Sequence, residues 1–569
     1  MRNEKKFKLG IIIFSLILSF YMIIIFRLLH IQVFGDSYIN EINTEIKQKV
    51  KKFTLNRKIF RPIRGNIYTR NNRLLATTIY KYRVFLDGKI INESSSKNQI
   101  INILKSQFPL NRNKLLKKIK NEDRYIPISR RENREKIESL SDIFLENNDN
   151  KKQNFNSKLK KLKKIGIYCR KDDPKRVYPR DDLASHVVGY INYANQGIGI
   201  EGEFNEFLKG KQSTDINDMP KDGGDIYLTI DDDIQYYVEK GLRWGYKKYN
   251  PVSVSAVVLK PDTGEILAMA NYPTYNPNFF YKIRNKSKLT NKAISYSFEP
   301  GSTFKLITLA GAIEENLVNK NMVINCNNGV IKYKGEIIRD TLRNDDLTLK
   351  EVFEKSSNVG VIKIADMLGK EKLYYYAKLF GFTENKTIEL SNESNAFMRN
   401  PDKWSPPELA NFSIGYGLAT NLLRLTNAYS VIANGGKLVQ PHIISRVHNF
   451  DKEAAVSPIV IRRVLDSKSA EKVKDILVSV VENGSASRTK MENLKIAGKT
   501  GTAVIFNREK FEYDNAHFIG TFVGFFPADN PEYVMGIMVN QPKVKGYASK
   551  FAVPIFKKIT ENIVKNGDM

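Results

Sequence analysis

The sequence has little of what metal and disulfide sites are made from. Its 569 residues hold only two cysteines, Cys169 and Cys326, and five histidines. Two cysteines far apart in sequence allow one bridge at most and nothing demands it, so buried free thiols are the expectation. The histidines never fall into the H-E-x-x-H spacing of a zinc hydrolase, so neither a metal nor a cofactor is expected. Acidic residues are also scarce, with 61 Asp and Glu against 91 Lys and Arg, a net charge of +30. Such an excess suits nucleic acid, an acidic lipid surface or an anionic polymer. No zinc finger, RNP-type motif or isolated basic arm accompanies it, so no nucleic-acid partner is expected. Lys, Asn and Ile crowd every segment, and compositional bias is the plain alternative. Internal repeats are absent too.

Long uncharged runs are missing, with one exception. After the basic head "MRNEKKFK", the stretch "LGIIIFSLILSFYMIIIF" carries no charge from Leu9 to Phe26. At about 1.5 Å per residue it spans roughly 27 Å, close to the roughly 30 Å of a bilayer core. A cleaved signal peptide would want a shorter apolar core and an A-x-A-like site, whereas Phe26 leads into "RLLHIQVFGDSY". The expectation is an uncleaved anchor over residues 9–29 in the inner (cytoplasmic) membrane, in contact with membrane lipid. Residues 1–8 then form a cytoplasmic tail, and the rest is extracytoplasmic by the positive-inside rule.

With 42% apolar residues, the chain can build real cores, and its length suits two to four domains. "EINTEIKQKVKKF" reads as a polar helix, and "RPIRGNIYTRNNRLLATT" as turn, strand and turn. Residues 93–165 suggest two or three short surface helices on flexible connectors such as "ENNDNKKQNFNSK". A boundary falls near residue 223, giving domains of 30–222 and 223–569. Beyond it comes a strand, Ile226 to Ile230, and then a helix capped by one of Asp231, Asp232 and Asp233. A hairpin turns at Asp262-Thr263-Gly264. Three further strands ("IAGKTGTAVIF", "HFIGTFVGFFPA", "EYVMGIMVNQP") precede a closing helix. This order implies an α+β fold with a central antiparallel sheet flanked by helices.

Three short pieces carry chemistry: Ser302-Thr303-Phe304-Lys305 at a helix start, Ser356-Ser357-Asn358 before a helix, and Lys499-Thr500-Gly501-Thr502 on a strand. Each has a bland reading. Ser302 is a good helix N-cap with Lys305 exposed, Ser-Ser-Asn is a common tripeptide, and Lys-Thr-Gly is a turn. A chemical reading needs all three. A serine hydroxyl is a poor nucleophile until a base takes its proton. Positions i and i+3 of a helix are neighbours, so Lys305 reaches Ser302. Lys305 serves as that base once burial and a nearby cation, such as Lys499, lower its pKa. Ser356 is placed to relay a proton to the leaving group, Asn358 to bond the lysine and a substrate amide, and Lys499 to attract a carboxylate. Gly501 would keep the strand edge open for an extended peptide.

Serine, Ser-Ser-Asn and Lys-Thr-Gly in this order resemble the set of the serine penicillin-recognising enzymes. The wider sequence resembles a class B penicillin-binding protein over nearly its whole length. "RGNIYTRNNRLLA", "RVYPRDDLASHVVGYIN", "GIGIEGEFNEFLKGK", "TGEILAMANYP" and "FSIGYGLATNLLRLTNAYSVIANGG" carry the likeness. Thr69 stands where the family usually has Asp, and Asn72 where it usually has Gly, so the local turn departs from the pattern.

The resemblance implies a non-catalytic, dimerisation or pedestal-like domain over residues 30–222 and a transpeptidase domain over 223–569. Ser302, Lys305, Ser356, Asn358 and Lys499 would be catalytic; Thr500, Gly501 and Thr502 would bind substrate. The backbone N–H groups of Ser302 and Thr502 would receive the oxyanion. It further implies D,D-transpeptidation of peptidoglycan stem peptides, acylation by β-lactams, and partnership with a membrane glycosyltransferase of the shape, elongation and division type and with division proteins. "SSNVGVIKIADMLG" and "FSIGYGLATN" look more like the septal than the elongation type. A β-lactamase, a β-lactam receptor and a non-catalytic scaffold are the rivals. The first would need neither the anchor nor the long N-terminal half, the second would carry further membrane helices, and the third has little use for three intact motifs.

Overall fold

The computed structural model describes residue 22 and residues 62–566, apart from 145–154, 172–173, 193, 212–220, 450–451, 508–511 and 545. Among the described residues no helix is long and apolar enough to cross a membrane. The anchor expected over 9–29 lies, but for Met22, outside them, as does the polar helix expected after it.

Strands β1 (Ile67–Tyr68), β2 (Leu74–Ile79) and β3 (Lys175–Val177) open the N-terminal part. The turn between β1 and β2 explains how the two departures are tolerated. Asn72 has φ +57°, a left-handed conformation that asparagine adopts more readily than other residues with a side chain. Thr69 is fully buried, and its Oγ1 accepts from Arg73 N (3.1 Å) as an aspartate oxygen would, while donating to Asp232 at 3.4 Å. The three fragments that carry the N-terminal resemblance meet at one carboxylate. Arg64 Nε donates to Glu201 Oε2 (2.8 Å) and Arg176 Nε to Glu201 Oε1 (2.5 Å), with Glu201 fully buried.

Residues 82–171 correct the expectation of loose surface helices. A three-stranded sheet (Ile126–Glu132, Tyr82–Leu86, Ile167–Lys171) and its helices enclose a hydrophobic core of their own. Ile100, Ile101 and Leu104 of one helix pack there with Leu115, Ile119, Ile137 and Leu140. Cys169 borders this cluster and Cys326 lies in the main core, both as free thiols.

The C-terminal part begins with β4 (Asp225–Leu228) and α1 (Asp232–Tyr249), whose N-cap is Asp231, accepting from Asp233 N and Ile234 N. The hairpin strands β5 (Ser253–Leu259) and β6 (Ile266–Tyr272) turn at Gly264 as expected. Helices α2 (Lys305–Glu314), α3 (Asn358–Leu368) and α4 (Leu422–Ala433) follow, and then β7 (Ile444–Asn449) and β8 (Lys452–Ala455). Helix α5 (Ser467–Glu482) precedes β9 (Ala497–Asn507), β10 (Glu512–Phe526), β11 (Tyr533–Asn540) and the closing α6 (Ala552–Asn566).

The central sheet is antiparallel, in the order β6-β5-β11-β10-β9, so β9 is an edge strand. Helices cover both faces. Phe522 of β10 meets Phe556 of α6 on one, while Gly536 of β11 lies against Thr426 of α4 on the other. A second sheet was not anticipated. Its order, β8-β7-β4-β1-β2-β3, joins strands from the first two hundred residues to strands beyond residue 440. Their apolar residues, Ile67, Ala76, Ile226 and Ile444 among them, belong to the main core.

Candidate active site

The peptide before α2 is fixed from three sides. Gly301 has φ +55° and donates its N–H to Gly415 O (3.1 Å), and Thr303 Oγ1 donates to Pro300 O (2.7 Å). The Tyr429 hydroxyl donates to Thr303 O (2.8 Å) from within α4. Phe304 is fully buried against Phe382 and Phe412. This turn, Gly301–Thr303, is a short 3₁₀ segment that carries Ser302, and α2 begins only at Lys305. Ser302 therefore does not cap α2. Ser302 is half-buried, and its hydroxyl makes no hydrogen bond with any of the described residues.

Lys305 is not an exposed helix residue but is fully buried. Its Nζ donates to Ser356 O (2.8 Å) and Asn358 Oδ1 (2.7 Å), with Ser356 Oγ further off at 3.4 Å. Lys499, on β9, is also fully buried and donates to Ser356 Oγ at 2.8 Å. Ser356 occupies the left-handed region at φ +55°, a conformation that costs an ordinary L-residue roughly 1–2 kcal/mol. That conformation presents its carbonyl to one lysine and its hydroxyl to the other. Ser357 is the N-cap of α3, accepting from Gly360 N at 3.0 Å.

Two buried ammonium groups around one serine are electrostatically costly, and the site responds by favouring neutral amines. Burial, then the neighbouring Lys499, push Lys305 well below the ordinary lysine range, and Asp340 acts in the other direction. Burial alone pushes Lys499 down to about 7.

Strand β9 runs beside the Ser302 turn. A Cβ on Gly501 would lie 2.8 Å from Pro300 O and 2.9 Å from Thr303 Cγ2, so the missing side chain lets β9 approach the turn. The sequence suggested an open outer edge; the structure adds this inward reason for glycine. Thr500 Oγ1 pairs with Ser485 Oγ (3.1 Å), and Thr502 Oγ1 accepts from Ala548 N (3.1 Å). All eight residues singled out by the sequence thus belong to one neighbourhood, built from the Ser302 turn with the start of α2, the start of α3, and β9.

Sequence reasoning missed three neighbours. Asp340 binds the N-terminus of α3. Glu299 Oε1 accepts from Gly417 N (2.8 Å), and burial pushes its carboxyl up. Tyr416 meets Tyr513 edge-on at 5.9 Å. Asp340 and Tyr513 sit in no recognisable motif; Tyr416 lies within the "FSIGYGLATN" fragment without having been singled out, and Glu299 lies only three residues before Ser302.

The transpeptidase domain of the penicillin-binding proteins matches residues 254–561, more than half of the chain. The chain belongs to the penicillin-binding proteins. Their dimerisation domain matches residues 59–234, so the protein is a transpeptidase with a dimerisation pedestal ahead of its catalytic domain. Stage V sporulation protein D of Bacillus subtilis is 30% identical over 510 residues, covering 85% of this chain and 75% of that protein. Peptidoglycan D,D-transpeptidase FtsI of Buchnera aphidicola is 32% identical over 421 residues, covering 70% and 71%. Among solved structures, penicillin-binding protein 3 of Mycobacterium tuberculosis in complex with aztreonam superposes with a TM-score of 0.70 at 27% identity, covering 89% of this chain and 97% of that one.

Proposed function

We propose that Ser302 is the acyl-accepting nucleophile of a peptidoglycan D,D-transpeptidase. The observation that carries this reading is the pair of buried lysines converging on Ser356, one of them three residues after Ser302. A neutral Lys305 takes the Ser302 proton as Oγ bonds to the carbonyl carbon of the penultimate D-alanine. The oxyanion that forms is received by the backbone N–H groups of Ser302 and Thr502. The C–N bond to the terminal D-alanine then breaks. Its amine leaves with a proton passed from Lys305 through Ser356 Oγ. An amine of a second stem peptide attacks the resulting ester, gives its proton back along the same route, and restores Ser302.

Lys499 and Thr500 hold the substrate's terminal carboxylate, which favours the charged form of Lys499 on binding. Gly501 lets the stem peptide lie along β9, and Asn358 bonds the substrate amide while holding Lys305. β-Lactams acylate the same serine, as aztreonam's presence on the mycobacterial relative suggests. The protein sits in the cytoplasmic membrane on an anchor over residues 9–29, with its catalytic domain outside. It works with a membrane glycosyltransferase and division proteins at the septum. The septal rather than elongation role rests on the likeness of "SSNVGVIKIADMLG" and "FSIGYGLATN" to that type.

Labelling with a fluorescent penicillin, beside a folded Ser302→Ala variant, tests the chemistry. A long-lived adduct on Ser302, absent from the variant, supports it. Rapid loss of the adduct with accumulating hydrolysed drug would favour a β-lactamase. No adduct on folded protein removes the assignment.

A further inference from the structure

The second motif is held by residues that no motif contains. A hairpin of Val330–Tyr333 and Glu336–Arg339 delivers the next residue, Asp340, to the N-terminus of α3. Asp340 Oδ1 accepts from Asn358 N (2.5 Å) and Val359 N (3.0 Å), and its Oδ2 accepts from Ser357 Oγ (2.6 Å). Next to it, Arg339 O accepts from Asn358 Nδ2 at 2.8 Å. An asparagine side chain has one oxygen and one NH₂ group. Once the NH₂ group is given to Arg339 O, the oxygen is turned to Lys305 Nζ, which it meets at 2.7 Å. The hairpin end thus decides which way the Asn358 amide points.

We propose that Asp340 is the positioning residue of this active site: by gripping Ser357, Asn358 and Val359 it fixes the Asn358 oxygen on Lys305 and places a carboxylate near that lysine. Two observations support separate parts of this. The first is geometric, since both carboxylate oxygens are used on the three residues that begin α3. The second is electrostatic. The charged groups acting on Lys305 are Lys499 from β9 and Asp340 from the hairpin, with opposite effects. Ser356 and Asn358, its other polar neighbours, are uncharged. Burial and then Lys499 favour the neutral amine, and Asp340 opposes them by favouring the protonated form.

The inference rests on the acyl-enzyme reading, and its test separates the two. The second-order rate of acylation by a chromogenic cephalosporin is followed against pH for the wild type, Asp340→Asn and Asp340→Ala, with thermal melting alongside. Asp340→Asn keeps an oxygen for the backbone N–H groups but loses the charge. Its plateau should fall about tenfold, and its acid limb should move to lower pH because Lys305 sheds its proton more easily. Asp340→Ala should show the same direction of shift with a drop of about a hundredfold. If Asp340→Asn does not fold, Asp340→Ser, which is also uncharged and can accept one bond, takes its place. Acylation within twofold of wild type at every pH would overturn the proposal. So would a rate that falls only with the melting temperature while the acid limb stays in place. A wild type that is never acylated would instead overturn the function itself.

Discussion

Lys305 and Lys499 approach Ser356 from two sides, one Nζ lying 2.8 Å from its carbonyl oxygen and the other 2.8 Å from its hydroxyl. Both lysines are fully buried, and among the described residues neither has a carboxylate as its hydrogen-bond partner. The serine is the shared acceptor of two amines that cannot both be charged without cost, and the charge of Lys499 helps to hold Lys305 neutral.

The pH profile should show that effect. In the proposed mechanism acylation requires neutral Lys305, whose pKa burial and then Lys499 lower. In Lys499→Met the cation is gone, Lys305 holds its proton more tightly, and the acid limb of the acylation rate should move to higher pH. The plateau should fall about 10²-fold through the loss of substrate-carboxylate binding and of the Lys499 hydrogen bond that orients Ser356 Oγ. Stopped-flow acylation across pH 5–10 checks this, and an unmoved limb would separate the two lysines.

The same substitution has a stability signature. Lys499 is pushed from 10.5 down to about 7 in the folded protein, so between those values the unfolded chain carries a proton that the folded one lacks. Stability then rises with pH through that window, and the penalty of burying the lysine is fullest below it. Lys499→Met should therefore melt higher than wild type near pH 7, with the advantage fading towards pH 10.5. Calorimetry at three pH values suffices, and a pH-independent difference would contradict the argument.

Gly501→Ala would place a methyl group 2.7 Å from Thr521 Oγ1 as well as against Pro300 O and Thr303. Overpacking of this kind costs about 1–3 kcal/mol. The strand should move away from the Ser302 turn, lowering acylation about tenfold or more. Melting temperature and penicillin labelling should fall together. Full labelling at an unchanged melting temperature would mean that the strand has room to spare.

In the pedestal, Glu201→Gln leaves two guanidinium groups, 11% and 7% exposed, around an uncharged amide. Breaking a buried ion cluster on one side costs about 3–5 kcal/mol. Denaturant unfolding should show a loss of that order, and a loss under about 1 kcal/mol would reduce the cluster to a surface-like pair.

At the turn between β1 and β2, Asn72→Gly should cost only the Arg446 hydrogen bond to Asn72 Oδ1, about 0.5–1.5 kcal/mol, since glycine accepts φ +57° without strain. Asn72→Ala should cost roughly 1–2 kcal/mol by forcing a β-carbon into the left-handed region. It also loses the Arg446 hydrogen bond to Asn72 Oδ1 (2.8 Å), and equilibrium unfolding measures both variants.

Much of the site was legible because its chemistry is written in short fragments. Ser302 and Lys305 sit three apart at a helix start, and Lys499 to Thr502 lie within one strand of recognisable pattern. The central sheet could be read for the same reason, its hairpin and late strands being local in sequence. What escaped depends on contacts between distant segments. Asp340 acts through a hairpin end that no spacing rule connects to Ser357. The inward direction of Gly501 is visible only once Pro300 and Thr303 are placed. The core around Ile100, Ile101 and Leu104 was hidden by a Lys-rich and Asn-rich background that made an apolar stripe look like a solvated surface.

The six-stranded sheet bears on how the protein can be divided. Strand β4 lies between β1 and β7 and pairs with both. A fragment beginning at residue 223 would keep β4 and β7 but lose β1, leaving the backbone donors and acceptors on that side of β4 bare. An exposed edge of this kind recruits other strands, so such a fragment would tend to self-associate. Cutting the chain at its apparent domain boundary thus removes more than a pedestal: it uncaps a sheet that the catalytic half shares.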